Sequence, residues 1–180
     1  MTYMLIHSDI YHLLMNITMQ LVVAVPLEWY QGNIRPAIVF MAGIVFGTLG
    51  TFIFQTETKV IGASAGTYAL LLSHCADCFM NRRRKNVIIQ ISAVCFIIFI
   101  DACYVIFHVY NNGNVYPKIG WSAHYSGAVN GFFLGFVIYK GTYAKSEQTT
   151  YIKALRGVCG IVWLTLLVTA ITMNLLKMNI

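Results

Sequence analysis

Ser64 stands in Gly62-Ala63-Ser64-Ala65-Gly66, a GxSxG pattern in which small neighbours leave a hydroxyl open to an approaching substrate backbone. Glycine also permits the backbone conformations that a helix start can require. The pattern's usual mechanical setting is a sharp strand-to-helix turn on an α/β sheet. No strand-like run precedes Gly62, so that hydrolase sheet is excluded while a nucleophilic serine is not. Gly, Ala and Ser also pack membrane helices closely, so the pattern alone serves either purpose. His124 changes the weighing. Gly127, Gly131 and Gly135 follow it at offsets of three, seven and eleven, a stripe along one helix face. Such a stripe lets a neighbouring helix approach backbone to backbone, and Ser64, Ala65 and Ala69 offer the matching small surface.

The chemistry of such a pair is acyl transfer. A neutral His124 takes the hydroxyl proton as Ser64 attacks a carbonyl, then gives it to the departing amine. The tetrahedral oxygen needs donors placed for the transition state. His12 and Asn16, spaced i,i+4 on one face of a helix, can supply them together with the Ser64 backbone N–H. Asn16 has an amide donor, whereas His12 depends on its tautomer. No carboxylate is assigned as a third catalytic member.

The elements that must carry these groups are membrane helices. Hydrophobic residues make up 58% of the 180 and charged residues 10%, too few charges to cover a soluble domain. Residues 36 to 56, 119 to 139 and 157 to 176 carry no Asp, Glu, Lys or Arg, and each has the length of a bilayer-crossing helix. Barrel strands would be shorter and would alternate polar with apolar residues. Three less tidy spans, at 13 to 29, 61 to 79 and 87 to 108, complete an all-α polytopic bundle of six predicted transmembrane helices.

Basic residues orient it. With the first residue outside, Arg35, Arg82, Arg83, Arg84, Lys85, Lys140, Lys145, Lys153 and Arg156 fall on the cytoplasmic side, against Lys59, Lys118 and Lys177 outside. The helices bearing His12 and Asn16, Ser64, and His124 then all run inward and carry their polar groups near one outer face. Topology and anionic lipid account for the net charge of +6, so no nucleic-acid partner is expected. Cys75 and Cys78 have CxxC spacing but lack the four ligands of a structural zinc, so neither a metal nor a cofactor is expected. His74 and His108 read as packing or helix-end residues. Asp101 lies well inside a span, where it is either functional or a hydrogen-bonded packing group, and the Ser64 chemistry does not need it.

These segments resemble the rhomboid intramembrane serine proteases, especially the animal forms with an extra C-terminal span. The resemblance rests on HSDIYHLLMNITMQ at 7 to 20, GASAGTYALL at 62 to 71 and AHYSGAVNGFFLG at 123 to 135. It implies that Ser64 is the nucleophile, His124 the base, and His12 with Asn16 the oxyanion-side pair. It also implies that Tyr68 packs its ring against the catalytic histidine and that Gly62 lies near the substrate-binding and oxyanion region. The expected activity is hydrolysis of a single-span membrane protein near its luminal or extracellular end, with a growth-factor precursor as one substrate class. The expected location is the secretory pathway or plasma membrane. Residues 1 to 180 read as one rhomboid-like domain that begins at the family's second span, without the first helix and the following loop that normally contains a Trp-Arg pair. The alternative is an inactive relative that binds or retains client helices.

Overall fold

The computed structural model describes residues 5–7, 10–56, 62–82, 84–112, 120–141 and 150–178, the side chains of Tyr11, His12, His108 and Asn112 excepted. Among the described residues, six helices follow one another: α1 (Ile10–Gln31), α2 (Ile34–Phe54), α3 (Ser64–Met80), α4 (Val87–Asn112), α5 (Trp121–Ile138) and α6 (Thr150–Met178). Each begins and ends within a few residues of its expected span, except that α6 starts at Thr150 rather than Gly157. Arg156 explains the difference. Its guanidinium turns back to donate to the Tyr139 carbonyl at 2.6 Å, so the basic turn is part of the helix and not of the connection.

The expectation of six membrane-spanning helices is corrected. Among the described residues, four helical stretches are long and apolar enough to cross a membrane: Leu13–Gln31, Ile34–Phe54, Val87–Asn111 and Thr150–Met178. α3 and α5 are not among them. α3 has 17 residues, about 25 Å of helix against a hydrocarbon core of about 30 Å. It also carries Ser73, His74 and Asp77, while α5 carries Ser122, His124, Ser126 and Asn130. Counting only Lys, Arg, Asp and Glu passes over Ser73, His74, Ser122, His124, Ser126 and Asn130, and the α3 span holds Asp77 besides.

Their surroundings explain why the polar groups are tolerated. Twelve residues of α3 are buried, and α2, α5, α1 and α4 all pack on it. A helix enclosed by protein needs no apolar coat. The reverse holds outside: Ile88 on α4 is 78% exposed and Val168 on α6 61% exposed, while Asp77 on α3 is fully buried. Apolar side chains facing outward and polar ones inward is the arrangement that a hydrocarbon solvent selects. The chain is an integral multi-pass membrane protein.

Glycine sets the spacing of the inner trio α2, α3 and α5. A methyl group added at Gly127 or Gly131 of α5 would run into the carbonyl oxygens of Ala65 and Ala69 of α3. One added at Gly43 or Gly47 of α2 would strike the Cβ atoms of the same two alanines. Backbones therefore meet with almost no side chain between them, which is how membrane helices gain dispersion energy without a hydrophobic drive between them. α6 is tied on from outside by Trp163 Nε1 donating to Asn130 Oδ1 at 2.9 Å and Asn174 Nδ2 donating to the Leu49 carbonyl at 3.1 Å.

The last turn of α3 holds a second polar centre. Asp77 Oδ1 accepts from Gln31 Nε2 at 2.7 Å and Asn81 Nδ2 at 3.0 Å. Its Oδ2 accepts from Arg84 at 2.6 Å and Gln90 Nε2 at 3.3 Å. Gln31 also accepts from the Lys140 N–H at 2.7 Å and donates to the Lys140 carbonyl at 2.9 Å. His74 joins through Gln90 Nε2 at 2.6 Å from its Nδ1 and the Val23 carbonyl at 2.9 Å from its Nε2. The carbonyl can only accept, so Nε2 carries the proton and Nδ1 accepts from the Gln90 amide. His74 is thus a hydrogen-bonded packing residue. One carboxylate binds together α1, α3 and α4, and its partner Gln31 adds the chain leaving α5.

Candidate active site

The other end of α3 opens with Ser64. Gly62 precedes it with φ of 87°, in the left-handed region where a side chain would be strained, and this lets the chain turn into the helix. Ser64 therefore occupies the first helical position, where backbone N–H groups lack intrahelical acceptors and the helix dipole favours negative charge. His124 lies in the first turn of α5. The backbone contact of Gly127 with Ala65 brings these two helix starts together, and His124 Nε2 stands 2.8 Å from Ser64 Oγ. A neutral imidazole at that distance can take the hydroxyl proton as the oxygen attacks.

Tyr68 is one turn beyond Ser64. Its ring stacks on that of His124, with centroids 4.4 Å apart and planes 13° from parallel. Its hydroxyl donates to Asp101 Oδ2 on α4. Ser64, Tyr68, Asp101 and His124 are all half-buried. Asn16 is buried in the second turn of α1, which packs on α3. His12 lies one turn before it in the same helix, and its side chain falls outside the described residues.

A Rhomboid domain profile matches residues 1–141. The chain belongs to the rhomboid family. It is 30% identical over 144 residues to Rhomboid-related protein 2 of Mus musculus, a stretch covering 77% of this chain and 47% of that protein. It is 33% identical over 147 residues to Rhomboid-related protein 3 of Homo sapiens, covering 77% of this chain and 35% of that protein. Inactive rhomboid-related protein 2 of Caenorhabditis elegans is 25% identical over 142 residues, covering 78% of this chain and 40% of that protein. The match thus spans less than half the length of these relatives.

Two contacts of this rhomboid site escape a reading of the sequence. Gln55, just past the end of α2, accepts from the Ser122 backbone N–H at 2.9 Å and from its hydroxyl at 2.7 Å. It thereby satisfies a first-turn donor of α5 two residues before His124. Its only sequence signal is a polar residue ending an apolar run. The other is Asp101, which reaches His124 through Tyr68 and which the sequence leaves between two readings.

Proposed function

We propose that the chain is an intramembrane serine endopeptidase of the rhomboid family that hydrolyses a peptide bond of a single-span membrane protein. The observation that carries the reading is the Ser64 Oγ to His124 Nε2 hydrogen bond of 2.8 Å at the mouth of a helix pair in a membrane protein. Ser64 Oγ attacks the scissile carbonyl carbon while its proton passes to His124 Nε2. As the C–N bond breaks, the imidazolium returns that proton to the leaving amine. Water, activated by the same nitrogen, then releases the acyl group and restores the hydroxyl.

The Ser64 N–H at the start of α3 supplies one oxyanion donor, with the Asn16 amide and His12 as the side-chain donors. Tyr68 holds the imidazole plane, and Gly62 shapes the approach to Ser64. Basic residues at the Asp77 end put that end in the cytoplasm and the Ser64 end toward the lumen or exterior. Substrates are then cut near their luminal or extracellular helix end, in the secretory pathway or at the plasma membrane. A membrane-tethered growth-factor precursor fits that description, as does membership among the animal forms.

The test is cleavage of a model single-span substrate in liposomes, with a fluorophosphonate as a direct probe of the serine. Ser64→Ala and His124→Ala should each abolish turnover, and Ser64→Ala should abolish labelling. One of the relatives is named inactive, which gives the second reading its footing: client binding by a folded protein with no Ser64-dependent turnover or labelling would replace protease by client-binding protein.

A further inference from the structure

Asp101 is the one acidic residue of α4, in a stretch where Ile98, Phe99 and Ile100 are exposed to the lipid side. Beyond Val94 no described residue of α4 is fully buried, and Ile97, Asp101 and Val105 form its partly covered stripe at four-residue spacing. Asp101 is the middle of that stripe. An ionisable group in hydrocarbon is costly unless it is bonded, and the bond it makes is to the Tyr68 hydroxyl. Stacking alone leaves the Tyr68 ring free to slide or tilt over the imidazole, because stacked rings have broad minima. A hydrogen bond at the far end of the phenol removes that freedom.

We propose that Asp101 is a positioning residue: it fixes the Tyr68 ring, and the ring holds the His124 imidazole in the plane that keeps Nε2 on Ser64 Oγ. The inference rests on the protease reading. Asp101 does for His124, at one remove and through an aromatic spacer, what a directly bonded carboxylate does for the base of a catalytic triad. It touches neither substrate nor reacting atoms. It belongs to α4, so the loosely packed half of that helix is coupled to the reactivity of a serine on α3.

The experiment is the rate of fluorophosphonate labelling of the full chain in liposomes at saturating probe, with thermal unfolding followed in parallel. Asp101→Leu and Tyr68→Phe should each slow labelling about 10-fold, and the double variant should be no slower than the slower single, because the two changes break one contact. Asp101→Asn keeps an oxygen that accepts from the phenol, so it should recover at least about a third of the wild-type rate. An anchoring role for α4 alone would lower the unfolding temperature without moving the saturated rate. Wild-type rates in Tyr68→Phe, or effects of the two singles that multiply to about 100-fold, would overturn the proposal. If Asp101→Leu does not fold, Tyr68→Phe and Asp101→Asn decide alone, since both keep the packing. Equal labelling of wild type and Ser64→Ala would overturn the protease reading and this inference with it, whereas Ser64-dependent labelling indifferent to Tyr68 and Asp101 overturns only the inference.

Discussion

Gly127→Ala tests the claim that backbone contact between α3 and α5 sets the distance between the reacting groups. The added methyl carbon would stand 2.9 Å from the carbonyl carbon of Ala65 and 3.1 Å from its Cα. The Ala65 carbonyl oxygen lies nearer than either carbon, and restoring an ordinary C···O contact of about 3.3 Å makes the two helices separate by about 1 Å. Carried to the helix starts, that displacement takes the Ser64 to His124 distance from 2.8 Å to about 3.8 Å, beyond the usual hydrogen-bond range. A misplacement of about 1 Å costs on the order of 100-fold in rate, so a fall of about 10- to 100-fold is expected. Overpacking should also cost about 1 to 3 kcal/mol of stability. The assays are substrate cleavage and fluorophosphonate labelling in liposomes, with unfolding followed in mild detergent. Gly157→Ala is the internal control, because a methyl there meets nothing within 4 Å and should leave the rate unchanged. If Gly127→Ala cleaves within about twofold of wild type and unfolds at the same temperature, the spacing argument is wrong.

Gln55→Ala should leave the Ser122 N–H without its acceptor and loosen the first turn of α5. We expect a loss of about 1 kcal/mol and a several-fold slower labelling rate, with Gln55→Glu restoring both in part because it keeps an acceptor. Equal rates for wild type and Gln55→Ala would remove Gln55 from the site. Asp77→Ala strips the partner from the nearly buried Arg84 and should destabilise the fold by about 3 to 5 kcal/mol. Unfolding in an anionic-detergent titration reads this directly, and an unchanged midpoint would show that the polar centre contributes little.

How much of this was legible follows from what each signal depends on. Helix positions were, because uncharged runs and basic clusters are local. The close face between α3 and α5 was also legible, since glycines at 127, 131 and 135 and alanines at 65 and 69 announce a surface with nothing projecting from it. Whether a helix spans was not. α3 and α5 fall short in length or apolarity because α1, α2, α4 and α6 surround them, and enclosure is a property of the assembly. Asp101 stayed between a functional and a packing reading because its partner Tyr68 is 33 residues away on another helix. Gln55 showed only as the polar end of an apolar run, for its role depends on Ser122, 67 positions later.

The joint that carries Ser64 and His124 is made of residues with no rotamers to freeze. Long side chains surrender conformational entropy when they are ordered, whereas glycine and alanine side chains surrender none. Once the helices have formed, the reactive end is therefore joined with little loss of side-chain entropy and has few intermediate degrees of looseness. Warming should leave the pair intact until the helices part, so that catalytic competence and folded structure are lost in a single step.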